Sequence, residues 1–558
     1  FESKIAFPYP QYISKEQQQE EIDYLEKVQT FIDTEINADW IDRHSEIPAA
    51  VIQGLGKLGV LGMSIPKEHG GLGMTQRAYC KVAEAIAGKC GSTALFVNAH
   101  QSVGLKALLL FGTPEQQQKW LAPLARGEQL AAFSLTEPNA GSDAAGIETR
   151  AEFDKEANVY YITGKKQWTT NGSMAHVLTV MAKTEVETPQ GKQDKITAFL
   201  VTPDMPGFKV THASLEKVGM RGSKTSNLAF EHMSVPAANI LGPIGGGLKV
   251  CLTVLDYGRT TFGATCTGVA KELVKKSIEY SRTRYQFKRP LASFGLVKKK
   301  LARMSALLYA MDATTYFTAG LIDSGVEDIM LESAMLKVFS SEAAWLILYD
   351  TMQIYGGRSF FTDHPFERVM RDSRLNMIGE GSNEVMRAFI GAVGMRDVGL
   401  QLKGYMEILK DPFNQSKNIS PMFTHLFSRL QAPSVPVKSA QLESQAQALG
   451  KAIRRFGYAV VKLLAHYREG IIENQLELER IAESAMALYT TSAVLSKLDA
   501  DLQLPGYALN NPYDLDSGKL YCQMAMNTID QNLNSLFSKD DALIESLSDK
   551  LTGIKTVW

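Results

Sequence analysis

The hydrophobic pattern of this 558-residue chain changes period twice, and that change constrains the fold more than any single motif. From Glu16 to Gly127, apolar residues recur at three- and four-residue spacing, as in "EIDYLEKVQTFIDTEI" and "AYCKVAEAIAG", the mark of amphipathic helices. Near Leu130 the texture switches to short runs rich in Val, Thr, Ile and Phe with turn residues between them: "NVYYITGKKQWTT", "HVLTVMAKT", "DKITAFLVTP" and "TSNLAFEHMSV". Helical spacing returns at Val250 and holds to Gly399, then gives way to the proline-bearing "DPFNQSKNISPMFTHLFSRLQAPSVPVKSAQ", which reads as a connection. A last helical pattern runs from about Gln441 to Thr552. The expected class is therefore α+β: an N-terminal helical domain over 1–132, a central β-barrel-like domain over 133–249, a second helical bundle over 250–402, a linker over 403–440 and a C-terminal helical domain over 441–558.

Several function classes drop out early. A net charge of −1 without a basic stripe gives no reason to expect a nucleic-acid partner. Apolar runs such as "ALLLF" near Leu109 fall short of the ~20 residues a bilayer span needs. The five cysteines form no C-x-x-C pair and are odd in number, which points to buried thiols in a reducing compartment. The histidines include no H-E-x-x-H, so no metal site is expected, and His100 in "NAHQSV" reads as a packed helix residue. "GPIGGGLKV" lacks the G-K-[ST] ending of a phosphate loop and reads as a hinge between the β region and the next helix. The chain begins at Phe1 and not at Met, which is compatible with a leader or transit segment upstream.

Five short stretches remain unexplained by this layout. "MIGEGSNEVM" (377–386) sets one carboxylate, Glu380, between two glycines, which permit close approach and unusual backbone angles, with Ser382 or Asn383 placed to cap a helix behind it. "FSLTEPNAGSDAAG" (133–146) opens the β region, "QWTTNG" (167–172) lies in its middle, and "RYQFKRPL" (284–291) and "QIYGGRSF" (353–360) lie in the second helical region. Alone, each has a plain explanation: a solvated turn, a G-S-D turn, a good strand, a helix C-cap.

Together and in this order, the five stretches closely resemble the acyl-CoA dehydrogenase family of flavoproteins, over roughly residues 20–400. The additional C-terminal helical region resembles the very-long-chain branch, as does "AHQSVGLKALLLFGTPEQQQKWL". The resemblance implies FAD as cofactor. Phe133, Leu135 and Thr136 then belong to the loop that meets the flavin's pyrimidine edge, Ser142 reaches the diphosphate and borders the substrate, Trp168 packs on the isoalloxazine and Thr170 bonds near N5. Arg284, Gln286 and Phe287, with Gln353, Gly356 and Gly357, match the clamp that a neighbouring subunit offers to the diphosphate and adenine end, and Ser382 and Glu384 match positions near the adenosine. A homo-oligomer, as a homodimer, is implied.

Glu380 matches the family's catalytic base, which takes the α-proton of an acyl-CoA thioester while the β-hydrogen leaves as hydride, giving a trans-2-enoyl-CoA. The implied partners are the acyl-CoA and electron-transfer flavoprotein, in fatty acid β-oxidation. Gly381 gives the thioester room, Asp256 lies in the segment that contacts the CoA portion, and Arg259 tunes the base or organises the substrate side. One departure stands out: the residue before the base is usually aromatic in this family and here is Gly379, which is expected to loosen the site. Leu95, Phe96, Val97 and Ala99 match the floor of the acyl pocket, where small and apolar residues suit a long chain or ordinary helix packing. "PMFTHLFSRLQ" (421–431), within the 412–440 region, suits either a membrane interface or packing on its own domain. The resemblance places the protein in the mitochondrial matrix or on the inner-membrane surface if eukaryotic, and in the cytoplasm or peripheral to the inner membrane if bacterial. Two other readings stay open: a catalytically minor flavoprotein serving as an assembly or scaffold partner, and an acyl-CoA oxidase of the same fold.

Overall fold

The computed structural model describes Phe7, Tyr9, residues 14–410, Ser420 and residues 431–554. Seven α-helices open the chain: α1 (Lys15–Glu35), α2 (Ala38–His44), α3 (Ala49–Lys57), α4 (Gln76–Lys89), α5 (Gly91–Asn98), α6 (Lys106–Phe111) and α7 (Pro114–Ala125). Their starts follow from local chemistry. Ser14, Asn37 and Thr75 accept hydrogen bonds from backbone N–H groups of the first turns they cap, and Thr113 forms a reciprocal capping box with Gln116 ahead of Pro114. Val28 and Ile32 of α1 stack one turn apart into a core with Leu55, Tyr79, Ile86 and Phe96. A π-helical turn over Ala99–Leu105 joins α5 to α6. Gly104 permits it, because a Cβ there would lie 2.9 Å from that of Ala131 on the first strand.

Read as a whole, Gly91–Phe111 is long and apolar enough to cross a membrane, which corrects the expectation that no run approaches that length. Its most apolar window is 72% buried inside the protein, as expected of a core helix.

Eight strands follow: β1 (Ala131–Ser134), β2 (Arg150–Asp154), β3 (Val159–Thr170), β4 (Val177–Thr188), β5 (Gly191–Val201), β6 (Phe208–His212), β7 (Thr225–Pro236) and β8 (Ile240–Leu241). They form one sheet in the order β6-β7-β3-β2-β4-β5-β8, with β1 parallel to β4. Alternation buries Ile162, Val180, Phe199 and Phe230 in one core. The β3–β7 ladder slips register between Lys166 and Thr169, a bulge that sets Gln167 and Trp168 opposite Asn227 and re-aims Trp168. The glycine-rich segment after β8 is a tight connection, with Gly245 at φ +75° and Gly246 capping the next helix.

That helix, α8 (Gly247–Thr283), packs with α9 (Gly295–Asp323) and α10 (Met330–Tyr355), and α10 in turn carries α11 (Phe366–Arg374) and α12 (Asn383–Lys410). The C-terminal helices are α13 (Glu443–Tyr467), α14 (Gln475–Leu502), α15 (Tyr507–Asn510), α16 (Asp514–Asn534) and α17 (Asp540–Thr552). Their buried residues Leu449, Val494 and Leu498 belong to the same hydrophobic core as Phe317 of α9 and Val338 of α10, so this region is continuous with the bundle. Met422, Phe423, Leu426, Phe427 and Leu430 lie outside the described residues.

Candidate functional site

Glu380 lies in the short loop between α11 and α12, and its backbone is left-handed, φ +56°, followed by Gly381 at φ +97°. Only glycine adopts such angles freely, and an ordinary residue there costs roughly 1–2 kcal/mol. The surroundings hold the loop in place. Arg259 of α8 donates from Nε to the Glu380 carbonyl at 3.2 Å, and Lys337 of α10 donates to the Gly381 carbonyl at 2.6 Å and to Asn383 Oδ1 at 2.8 Å. Ser382 caps α12, its carbonyl accepting from Met386 N–H.

The carboxyl group points inward. Oε1 accepts from Asn98 Nδ2 at 3.3 Å, while Oε2 is shielded from solvent and has no partner. Gly258 makes room for it, since a Cβ there would stand 2.7 Å from Oε2. Burial pushes the Glu380 pKa up to about 7, against the opposing pull of Arg259, Lys337 and the Asn98 hydrogen bond. A carboxylate poised near neutral pH, with one oxygen unclaimed, is suited to take a proton from a weakly acidic carbon.

Arg259 and Asp256 are both buried. Their ion pair (3.2 Å) is completed by Ser333, which donates to Asp256 at 3.0 Å. Burial raises the Asp256 pKa to about 6. The structure therefore places Asp256 behind Arg259, with its carboxylate turned to Arg259 and Ser333.

Beside Asn98 opens a cleft of about 1190 Å³. Leu95, Phe262, Thr265 and Asn376 line it, as do Glu84 and Lys271. Of the expected pocket-floor residues, Leu95 faces this cleft, whereas Phe96 and Val97 turn into the N-terminal core. The wall is more polar than the sequence suggested, for the Asn98 and Asn376 amide oxygens are buried without partners. Gly379 is unconstrained: a Cβ there would make only ordinary contacts, the nearest at 3.6 Å to Leu375.

A second constellation forms on the sheet. The bulge holds Trp168 at φ +59° with 61% of its surface exposed. Next to it runs the loop bearing Leu135 and Thr136: Gln167 N–H donates to the Thr136 carbonyl, and Lys166 Nζ to the Leu135 carbonyl. Phe133 lies on β1 and Thr170 ends β3, both half-buried, and Ser142 is exposed in the turn after β1. The loop is tied down from inside by Glu137. Its carboxylate accepts from Lys166 (2.7 Å) and from the N–H of Glu148 and Thr149, and although burial alone pushes its pKa up, the Lys166 charge and these donors hold it below the usual range. A large aromatic exposed beside a rigid loop of backbone groups fits the flat ring of a flavin.

The remaining predicted residues are not brought to this place. Arg284 caps the far end of α8, about 25 residues past Arg259, roughly 37 Å at the helical rise. Gln286 and Phe287 follow it in a surface hairpin, Phe287 being 88% exposed. Gln353, Gly356 and Gly357 are exposed at the end of α10, where Gly356 takes φ +60°. Glu384 is exposed on the first turn of α12.

Sequence reasoning missed Asn98, Lys337, Glu137 and Lys166, and offered Asn383 only as a helix cap. Two had signals. Lys166 follows Tyr160 and Ile162 on the inward register of β3, and Lys337 sits between the buried Leu336 and Val338. His100 is a satisfied core residue, as expected, its ring nitrogens facing the Leu124 carbonyl and the Ala131 N–H. The five cysteines are buried and free, and no metal-binding cluster occurs among the described residues.

Fold and site together are those of a flavin-dependent oxidoreductase, with a buried carboxylate at Glu380. Family models agree along the chain: acyl-CoA dehydrogenase N-terminal domain over 18–128, middle domain over 132–233, C-terminal domain over 245–395, and the ACAD9/ACADV C-terminal domain over 440–553. The very long-chain specific acyl-CoA dehydrogenase, mitochondrial, of Macaca fascicularis is 35% identical over 505 residues, covering 89% of this chain and 77% of that protein. The probable acyl-CoA dehydrogenase FadE10 of Mycobacterium tuberculosis is 30% identical over 574 residues, covering 99% and 87%. Among solved structures, an acyl-CoA dehydrogenase complexed with FAD from Bacillus anthracis superposes with a TM-score of 0.81 at 28% identity, covering 100% of this chain and 95% of that one. The chain belongs to the acyl-CoA dehydrogenase family of FAD-dependent oxidoreductases.

Proposed function

We propose that the protein dehydrogenates long or very-long-chain acyl-CoA to trans-2-enoyl-CoA in fatty acid β-oxidation, with Glu380 as the base and electron-transfer flavoprotein as the electron acceptor. The observation that carries this reading is the buried, partly unclaimed carboxylate of Glu380, held near neutral pKa and hydrogen-bonded to Asn98, which lines a cleft of about 1190 Å³. FAD, when bound, supplies the hydride acceptor. Phe133, Leu135, Thr136, Trp168 and Thr170 would hold its ring, and Ser142 the neighbouring diphosphate. Glu380 Oε2 receives the α-proton. The glycines beside it leave the thioester carbonyl free to approach the Glu380 N–H, which would stabilise the charge that develops on that oxygen. Arg259 fixes the loop from behind, with Asp256 as its counter-charge rather than as a direct CoA contact.

The separation along α8 supports a homodimer. Arg284 stands about 25 residues along α8 from Arg259, roughly 37 Å at the helical rise, and with the exposed Gln286, Phe287, Gln353, Gly356 and Gly357 it would serve the adenine end of a partner's cofactor, as would Ser382 and Glu384. The exposure of Phe287 and Phe360 agrees with a covered face. The mitochondrial relatives support the mitochondrial matrix or inner-membrane surface if the protein is eukaryotic, with the cytoplasm or the periphery of the inner membrane as the bacterial alternative; any peripheral membrane contact would run through 412–440, most of which lies outside the described residues.

Anaerobic titration with acyl-CoA esters of increasing length tests the reading. Loss of the flavin's visible absorbance with long chains, abolished in Glu380→Gln, is expected. Bound flavin that no acyl-CoA reduces would favour the scaffold reading, and rapid reoxidation in air the oxidase.

A further inference from the structure

Lys337 is fully buried, and among the described residues no carboxylate lies within ion-pairing distance of it. It is held by the Gly381 carbonyl and the Asn383 side-chain oxygen, and so depends on where α12 begins. Asn383 in turn donates to Ser341 (3.1 Å) and to Glu342 Oε1 (3.0 Å). The other oxygen of Glu342 accepts from Arg387 at 2.7 Å. Asn383 and Arg387 are one turn apart on α12, so a single carboxylate of α10 grips the first turn of α12 at two points. The second arm of Arg387 goes elsewhere: its Nε donates at 2.6 Å to Glu483 on α14, in the C-terminal region. A continuous series of charge-assisted hydrogen bonds therefore runs from the Glu380 loop into the helices that follow residue 440.

We propose that the C-terminal helical region belongs to the catalytic apparatus by position: Glu483, through Arg387 and Glu342, sets the first turn of α12 and with it the contact of Lys337 with the Glu380 loop. This rests on the reading of Glu380 as the base. Lys337, Glu342, Arg387 and Glu483 are positioning residues, and none of them reaches the substrate. The charged and titratable groups that face Glu380 are Arg259 and its partner Asp256 on α8, Lys337 on α10 and Tyr79 on α4. Of these, Lys337 alone is linked to the C-terminal region by the series. Its positive charge favours the Glu380 carboxylate, so loosening the series raises the pH at which Glu380 ionises.

The test uses holoenzyme. Glu380 is titrated through the infrared band of its protonated carboxyl, assigned by its loss in Glu380→Gln, and kcat/KM is followed against pH in parallel. Lys337→Met is expected to move the titration upward, and Glu483→Gln to move it the same way by less, with a loss in kcat/KM at pH 7 of about threefold that recovers at higher pH. The double variant is expected to match Lys337→Met, since the two act in series. Asp541→Asn is the control. It breaks the Arg480–Asp541 ion pair between α14 and α17, which lies outside the series. It should lower thermal stability and leave the titration in place. If Glu483→Gln behaves like Asp541→Asn, the proposal is overturned. Should Glu483→Gln not accumulate, Arg387→Lys keeps the charge but loses the two-armed geometry, and its titration decides in the same way. A wild type that oxidises no acyl-CoA would remove the reading of Glu380 as base, while the infrared titration still decides whether α14 is coupled to it.

Discussion

Replacing Glu380 with glutamine should make the protein more stable, and increasingly so as the pH rises. The Glu380 pKa is raised from 4.5 to about 7, chiefly by burial, and the attraction of Arg259 and Lys337 does not offset it. Because the carboxyl binds its proton more tightly folded than unfolded, the fold carries no penalty below pH 4.5, a growing one as the unfolded chain ionises, and the whole of it above pH 7. At 1.36 kcal/mol per pH unit the full penalty is roughly 3 kcal/mol, with about 1 kcal/mol already present at pH 5. Glutamine removes the charge while its carbonyl still accepts from Asn98, so the variant escapes the pH-dependent part. Differential scanning calorimetry of wild type and Glu380→Gln at pH 5 and pH 8.5, in one buffer system, reads the gap. The variant's melting advantage should widen at the higher pH. A gap that stays constant or narrows would mean that the carboxylate is solvated, and the argument for a burial-tuned base would fail.

Asn98→Leu removes the donor to Glu380 Oε1, and hydrogen bonds to charged groups are worth about 1.5–3 kcal/mol, so the acid limb of kcat/KM should rise by about one pH unit or more, measured by steady-state turnover from pH 6 to 9. Gly258→Ala would drive a methyl to 2.7 Å from Glu380 Oε2. Turnover should fall by at least an order of magnitude, with flavin content and melting temperature nearly unchanged, as absorbance and calorimetry would show. Lys166→Met leaves the buried Glu137 carboxylate without its ion-pair partner, a loss of about 3–5 kcal/mol that should appear as a lowered melting temperature and as flavin release on dilution.

The layout was legible because it rests on local rules. Three-and-four spacing and alternation are written in neighbouring residues, and they located the helices, the sheet and the hinge after it. Glu380 drew notice because its flanking glycines permit unusual backbone, whereas Trp168 drew notice only through the family resemblance, its run reading as an ordinary strand with no hint of the left-handed backbone it adopts. Asn98 and Lys337 drew none. Asn98 is 282 positions from the carboxylate it holds, and in "ALFVNAH" it looks like the end of an apolar helix face. Lys337 reads as an interruption in an apolar run until α12 is seen to bring a carbonyl and an amide to it. Such residues take their role from a partner that only the packed structure supplies. Phe96 and Val97 are the converse: their type suits a pocket floor, but the turn of α5 points them into the core.

Three separate costs meet at Glu380: a left-handed backbone, a buried charge and an oxygen without a partner. Their magnitudes rank them. The backbone costs roughly 1–2 kcal/mol, whereas the burial is worth about 3 kcal/mol once the residue ionises. Strain positions the carboxylate, and burial sets the pH at which it ionises. The groups that offset these costs are correspondingly divided. Arg259 and Lys337 each use hydrogen bonds to hold a loop carbonyl and use charge to restrain the pKa, so neither can be altered without moving both the place and the proton affinity of the carboxylate. Asp256 adds a second constraint. Its own pKa is raised to about 6, so between pH 6 and 7 two buried carboxyl groups titrate on either side of one guanidinium. A negative Asp256 draws on the same charge that restrains Glu380, which makes the two ionisations interdependent. The pH response of the site is thus a property of Glu380, Arg259, Asp256 and Lys337 together, and the steepness of its acid limb reports that coupling as directly as its midpoint reports burial.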